Sequence, residues 1–365
     1  MSTSIGQYGA SAASLVLSAG VQELTNAQTT LAWQTSSGGV TAETYAGLGT
    51  SRSSVFELTP KITQVQAWQS NITNAQNSLT VTATALKQIV SLAQSVSANL
   101  LSIAGTSETS TVNTVSTEAS SSLSQIATIL NTSNGTGYVF AGQNSTQAPV
   151  NDPSSVATGS LETTIADSVS SLASGTSVDS LLEQATDSMN SDSTLFSSTI
   201  SDPTSAASSL AAASSQQTSI VTGDSSSSTY GVVATQGDTS DVSSTSTGSP
   251  IKDLMRDLML VSGMSGMSST STGYSDLVSQ LQTSLTSTTN QLINMETTVG
   301  AQQNALTSRA TLLTNTATAL QTQLSDARST DISEVAIQTT NVQTSLKASF
   351  MLIADMKDMT LANYL

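Results

Sequence analysis

The 365-residue chain contains no cysteine and no histidine. It therefore cannot form a disulfide, an iron–sulfur cluster or a thiolate metal site, and a zinc site would have to use carboxylates alone, which is unusual. A serine nucleophile would need lysine or a carboxylate as its base, and serine is so abundant here that any such match is meaningless. We predict a protein that is not an enzyme and that uses no metal and no cofactor.

Positively charged residues are scarce. Nine Lys and Arg residues stand against 25 Asp and Glu residues, which gives a net charge of −16, and none of the nine lies between Lys87 and Lys252. Contacts with nucleic acid and docking to an anionic membrane both need clustered basic side chains. We therefore expect no nucleic acid and no membrane as a partner, and we interpret the acidic middle of the chain as a solvated surface.

Long apolar runs are also missing. No stretch approaches the roughly 18 apolar residues that a membrane-spanning helix needs. The first basic residue is Arg52, so the N-terminus lacks the positive region of a secretory signal peptide. A role outside the cell would thus require another export route, without a cleaved signal peptide.

The first half of the chain carries a long helical pattern. Apolar or small residues recur at alternating steps of three and four, which indicates the seam of a coiled coil. The pattern predicts a helix from about residue 61, just after Pro60, to about residue 103, and a second helix over about 109–131. The seam consists of Val65, Trp68, Ile72, Ala75, Leu79, Thr82, Leu86, Ile89, Ala93, Val96, Leu100 and Ile103.

A matching pattern occupies the second half. Gln302 and Arg309 fall at companion positions of its seam, where polar residues fix the register of pairing helices. An unbroken apolar period of seven predicts a left-handed supercoil. We predict a mainly α fold, with long antiparallel coiled-coil helical arms from both chain ends and a small mixed α/β or β-rich middle domain. The period of seven runs through Leu285, Leu292, Val299, Leu306, Leu313 and Leu320.

The helical pattern stops between about residues 135 and 250, where Gly, Asn, Asp-Pro and Ser clusters interrupt short apolar runs. We predict strands at 138–140, 219–221 and 230–233, and a helix at about 177–189. The predicted domains are the terminal assembly helices (1–35 plus 332–365), a helical rod (36–142 plus 250–331) and a variable acidic middle domain (143–249).

Both chain ends carry an apolar stripe at helical spacing. Neither stripe has an obvious partner within its own half of the chain, so each is expected to pair with the other or with another copy of the protein. We therefore predict that these residues make subunit contacts. They are Leu17, Val21, Leu24 and Leu31 near the N-terminus, and Val342, Leu346, Phe350, Ile353 and Met356 near the C-terminus.

Three segments carry a family resemblance. Residues 136–142, TGYVFAG, resemble the Tyr-x-Phe-x-Gly stretch that ends the N-terminal arm in hook-associated protein 3 of the flagellin superfamily. Residues 250–258 look like the start of the second arm in that superfamily, and residues 331–365, which end in Asn-Tyr-Leu, look like its C-terminal helix. Over residues 36–49 the chain departs from the family, because it lacks the basic run and paired acidic residues of many relatives.

The resemblance implies a structural subunit of the bacterial flagellum that joins hook to filament by self-assembly and supports motility. It implies an extracellular, flagellar location and secretion by the flagellar export system, with the export apparatus and its chaperone as partners. The other implied partners are copies of the chain in a ring, the adjacent hook-associated protein and the filament flagellin. The terminal segments are expected to order only on assembly.

Two other interpretations remain open. The filament flagellin shares the same architecture, and copy number per flagellum distinguishes it from a junction subunit. A secreted coiled-coil adhesin or signalling protein is the more distant alternative, since Ala, Ser, Thr and Gln heptads also occur in such proteins. Normal flagella and normal swimming after gene deletion would exclude both flagellar interpretations.

Overall fold

The computed structural model describes residues 5–358, and side chains over 15–355. The described chain is mainly helical with two small two-stranded sheets. None of its helices has an apolar stretch long enough to cross a bilayer. The helices are α1 (Ile5–Ser36), α2 (Arg52–Ser102), α3 (Thr109–Leu130), α4 (Ser160–Ser168), α5 (Val178–Ser191), α6 (Ala206–Ser215), α7 (Pro250–Ser262), α8 (Tyr274–Arg328) and α9 (Ile332–Asp358), and the strands are β1 (Thr218–Gly223), β2 (Ser226–Tyr230), β3 (Val242–Ser243) and β4 (Ser246–Thr247).

The chain packs into two compact units. The first contains residues 1–66 and 314–365, and the second contains residues 67–313. The predicted terminal ranges 1–35 and 332–365 both fall in the first unit, and the predicted middle range 143–249 falls wholly in the second.

Helix α2 contains nearly all of the predicted seam residues but begins earlier than predicted. From Ile72 to Ile103 every predicted seam position is buried, whereas Trp68 is half-buried. The helix starts at Arg52 instead of near residue 61, so Pro60 lies inside it. A proline inside a helix removes one backbone hydrogen bond and normally ends or kinks the helix. Here Val55 and Ile62 are buried on both sides of Pro60, and we attribute the continuation of the helix to their packing.

Helix α8 lies alongside α2 in the second unit. Gln76 Nε2 donates to Thr307 Oγ1 at 3.0 Å, and Gln303 Nε2 donates to Thr80 Oγ1 at 3.4 Å. Farther along, Lys87 Nζ lies 4.0 Å from Glu296 Oε1. Residue numbers rise on α2 as they fall on α8, so the two helices run in opposite directions. The apolar residues Leu285, Leu292, Val299 and Leu306, one heptad apart, are all buried.

The predicted polar seam residues Gln302 and Arg309 have a role that the heptad pattern did not indicate. Gln302 Oε1 accepts from the Gly231 N–H at 2.9 Å. Arg309 Nε donates to the Thr222 carbonyl at 2.9 Å, and its Nη2 donates to Ser226 Oγ at 3.0 Å. Both side chains therefore hold the β1–β2 hairpin against α8.

The middle of the chain is more helical than the sequence pattern indicated. Helix α5 confirms the helix predicted at about 177–189, and β1 confirms the strand predicted at 219–221. The strand predicted at 138–140 is largely wrong: Tyr138 makes a single β-bridge with Ser133, and Val139 and Phe140 are in a turn. The Tyr138 N–H donates to the Ser145 carbonyl at 2.8 Å. Of the predicted strand 230–233 only Tyr230 is in β2. Gly142 follows this turn with φ +66°, and a Cβ there would collide with the Gln216 backbone, so the position requires glycine.

Candidate assembly surface

The predicted contact residues lie on two helices that the chain itself brings together. At the end of α1, the Gly39 carbonyl accepts from the Thr330 N–H at 2.7 Å, and the Thr41 N–H donates to the Arg328 carbonyl at 2.6 Å. Gln34 Nε2 stabilises the segment after α1 by donating to the Thr41 carbonyl at 2.6 Å. The end of α1 and the start of α9 are thus joined at one corner.

From this corner α1 and α9 pack against each other and run in opposite directions. The predicted stripes therefore find part of their partner within the chain. Leu31 and Leu346 are buried, and Val335 on α9 is buried with them. Of the other predicted contact residues, Leu17, Val21, Leu24 and Val342 are half-buried, Phe350 and Ile353 are exposed, and Met356 is in α9 with its side chain outside the described residues.

The pairing leaves the last described turns of α9 uncovered. Phe350, Met351, Leu352 and Ile353 are consecutive, and their exposed fractions are 56%, 68%, 52% and 39%. Successive residues of an α-helix point about 100° apart, so these four side chains surround the whole circumference of the helix. A single partner helix can cover only one side of them, so α1 leaves most of this apolar surface in solvent.

Further large apolar side chains are exposed in the same unit. Leu15 and Val16 on α1 are exposed, as are Ile332 and Ile337 on α9. Among the described side chains the exposed aromatic residues are Tyr45, Phe56 and Phe350, and all three belong to this unit. Aromatic side chains are enriched at protein interfaces, so we take the exposed apolar residues of this unit as the candidate interaction surface.

The acidic residues, in contrast, are concentrated in the second unit. Residues 67–313 carry 17 of the 25 acidic residues of the chain and four of its nine basic residues. The second unit is therefore strongly anionic, whereas the first is close to neutral. Copies of the second unit repel one another at short range, so the first unit is the better candidate for contacts between copies.

The second unit contains a buried cluster of charges that the sequence analysis did not find. Every residue of α7 from Pro250 to Val261 is buried, including Lys252, Asp253, Arg256 and Asp257. The only signal in the sequence was the placement of these four charges among apolar residues on all sides of a short helix.

Arg256 and Asp257 form the centre of the cluster. Arg256 Nη2 lies 2.6 Å from Asp257 Oδ1, and Arg256 Nη1 donates to Thr186 Oγ1 at 2.9 Å and to the Thr245 carbonyl at 2.6 Å. Ser284 Oγ on α8 donates to Asp257 Oδ2 at 2.5 Å. Burial raises the pKa of Asp257, while Arg256 and the Ser284 hydrogen bond act in the opposite direction. The cluster joins α5, α7, α8 and the β3–β4 turn.

Lys252 and Asp253 complete the cluster. Lys252 Nζ donates to Ser209 Oγ on α6 at 3.0 Å. Burial lowers the pKa of Lys252 to about 8, although Asp192 and Asp253 oppose the shift. The Asp253 carboxylate accepts from the Thr247 N–H at 2.8 Å and from Ser246 Oγ at 2.6 Å. Lys252 thus bonds to Ser209, whereas Arg256 is in ion pairs with Asp253 and Asp257. The cluster therefore joins several elements of the second unit.

No family model matches the chain, and no curated protein matches it. The three segments that carry the family resemblance lie in different places. Residues 136–142 form the turn that inserts Phe140 into the core, residues 250–258 belong to the buried helix α7, and residues 332–358 form α9. The final Asn-Tyr-Leu lies outside the described residues.

Proposed function

We propose that this chain is a structural subunit of the bacterial flagellum that joins hook to filament. In this proposal its N- and C-terminal helices assemble with those of neighbouring copies, and the anionic second unit remains in solvent. The long helices α2 and α8 form the antiparallel coiled-coil arms. The adjacent hook-associated protein and the filament flagellin occupy the two sides of the ring, and the flagellar export system secretes the chain.

One observation carries the assembly part of this proposal. The apolar residues at 350–353 surround α9 on every side, yet among the described residues α1 is the one helix that packs extensively against α9. Burying the remaining surface needs more than one further helix, which neighbouring copies in a ring or tube supply. Burial of apolar area contributes about 25 cal/mol per Å², which opposes the cost of ordering the terminal segments.

The flagellar part of the proposal rests on the resemblance at 136–142, 250–258 and 331–365. Electron microscopy of flagella from a gene-deletion strain tests it. We expect hooks without attached filaments and cells that do not swim, with recovery on expression of the intact gene. Normal filaments and swimming in the deletion strain contradict the proposal.

The filament flagellin is the second candidate, because its architecture is the same. The segment at 136–142 and the final Asn-Tyr-Leu favour the junction subunit. Quantitative mass spectrometry of purified flagella separates the two: a junction ring contains few copies of the chain per flagellum, whereas a filament contains thousands. A copy number equal to that of the main filament protein assigns the chain to the filament instead.

A further inference from the structure

A second exposed apolar surface lies in the first unit, away from the exposed end of α9. The rings of Tyr45 and Phe56 are 5.6 Å apart at an angle of 58°, and their exposed fractions are 48% and 63%. We call these two residues the aromatic patch. Leu48 and Val55, close to them in the sequence, are buried, so the segment that carries the patch is anchored. Exposed aromatic residues held in place by buried neighbours are typical of the central residues of protein interfaces.

We propose that the aromatic patch of one copy binds the exposed apolar residues 350–353 of α9 in a neighbouring copy. We call those four residues the α9 strip. This inference rests on the self-assembly in the proposed function and assigns the two surfaces that meet.

The strip of the same chain is poorly placed to cover the patch. Ile332 is at the corner, where a Cβ on Gly39 would lie 3.1 Å from its Cγ1, and Phe350 is 18 residues further along α9, about 27 Å away. Val40 pairs with Ser329 at the same corner. Tyr45 is only five residues beyond Val40, so Tyr45 lies within about 18 Å of the corner. Both surfaces remain exposed in the described chain, and a second copy is the partner that brings them together.

Charge complementarity supports the same pairing. The strip is flanked by Lys347 on one side and Asp355 on the other, and the patch by Arg52 and Glu57; all four are exposed. Within the described residues none of the four is in an ion pair. If α9 crosses the start of α2 in the opposite direction, Lys347 faces Glu57 and Asp355 faces Arg52. Opposite charges at the rim of an interface favour one orientation over the reverse.

The contact joins two different surfaces, so each copy offers one patch and one strip. Such a heterologous contact continues from copy to copy and closes into a ring or extends as a helix, unless two copies pair both surfaces reciprocally across a two-fold axis.

Cysteine cross-linking tests this proposal directly, because the chain has no cysteine of its own. One sample of full-length protein carries Phe56→Cys, a second carries Ile353→Cys, and the two are mixed at high concentration under mild oxidation. We expect a 56–353 disulfide between chains in the mixture and little dimer in either sample alone. Ser54→Cys, exposed on another side of α2, is the control, and we expect roughly fivefold less product with it because a disulfide requires close approach of the two Cβ atoms.

Charge exchange gives a second and milder test. Asp355→Arg is expected to lower the yield of the 56–353 disulfide roughly twofold to fivefold, which is the effect of an exposed ion pair. Adding Arg52→Asp in the partner restores it. No disulfide above the Ser54 control at any concentration overturns the proposal, as does a 56–353 disulfide that forms within a single dilute chain carrying both cysteines. The result does not depend on the flagellar assignment, which the deletion strain tests separately.

Discussion

At the scale of single residues, the buried charges of α7 are the main departure from the composition of an ordinary core. Removing one partner of a buried ion pair leaves an unpaired charge and typically costs about 3–5 kcal/mol, whereas replacing the whole set with apolar residues is often neutral or stabilising. Arg256 also binds the Thr245 carbonyl and Thr186 Oγ1. Through these hydrogen bonds the cluster fixes the positions of α5 and the β3–β4 turn relative to α7.

Lys252 gives a pH-dependent prediction. Its pKa is lowered to about 8 in the folded chain, against about 10.4 in an unfolded chain. Between these values the unfolded state binds more protons, so the contribution of Lys252 to the free energy of unfolding rises with pH. Below pH 8 both states are protonated and the cost of burying the ammonium group is fully present.

We expect Lys252→Met to be more stable than the natural protein at pH 7, by about 1–2 kcal/mol, and to lose this advantage as pH rises to about 9.5. Urea unfolding at pH 7, 8.5 and 9.5 measures the difference. Lys87→Met is the control, because it removes the same charge from a side chain that is 75% exposed. A difference for Lys252→Met that stays constant over this range contradicts the assignment.

At the scale of elements, the β1–β2 hairpin depends on a helix that is distant in sequence. A two-stranded hairpin is marginally stable by itself, and this one is held by Arg309, Gln302 and a hydrogen bond from Asn71 to the Val221 carbonyl at 3.2 Å. A Cβ on Gly223 would collide with the Arg309 guanidinium, so a larger residue there would displace that side chain from the hairpin.

Arg309→Met should release the hairpin without unfolding the helices. The change removes the hydrogen bonds to Thr222 and Ser226 but keeps the apolar stem, and we expect a loss of about 1–2 kcal/mol. Hydrogen exchange should become faster over residues 218–230, while circular dichroism shows unchanged helix content. Arg328→Met, at an exposed arginine of α8, is the matched control, and equal exchange in the two variants counts against the role of Arg309.

At the scale of the whole molecule, the α1–α9 pair contains two kinds of apolar residue. Some are buried between the two helices of one chain, and others are exposed and are proposed to contact neighbouring copies. Leu346 is 7% exposed, whereas Ile353, seven residues later on α9, is 39% exposed. A charge introduced at the first position is buried within the chain, and a charge introduced at the second is solvated until copies meet.

We therefore expect Ile353→Asp to leave the monomer folded and to abolish its assembly, and Leu346→Asp to weaken the α1–α9 pair as well. Circular dichroism and hydrogen exchange on dilute protein measure the folding of the monomer, and sedimentation at high concentration measures assembly. Equal loss of helix in both variants means that position 353 is part of the core of the single chain. Normal assembly of Ile353→Asp contradicts its place in a contact between copies.

The sequence by itself determined the long helices, because their apolar periods of three and four, and of seven, extend over many turns. It also determined the burial of the α2 seam from Ile72 onward and the position of α5. Local periodicity predicts such elements because one helical face must be covered whichever partner covers it. It did not determine the start of α2, since packing of Val55 and Ile62 outweighs the local effect of Pro60.

Only the tertiary structure decided which partner covers each face. It paired α1 with α9 and thereby buried Leu31 and Leu346 while leaving the strip at 350–353 exposed. It placed Val139 and Phe140 in a buried turn, brought the β1–β2 hairpin to Gln302 and Arg309, and buried four charges in α7. Each of these outcomes depends on contacts between residues far apart in the chain, and a pattern read along the sequence contains no information about which distant group will supply the hydrogen bond or the apolar surface.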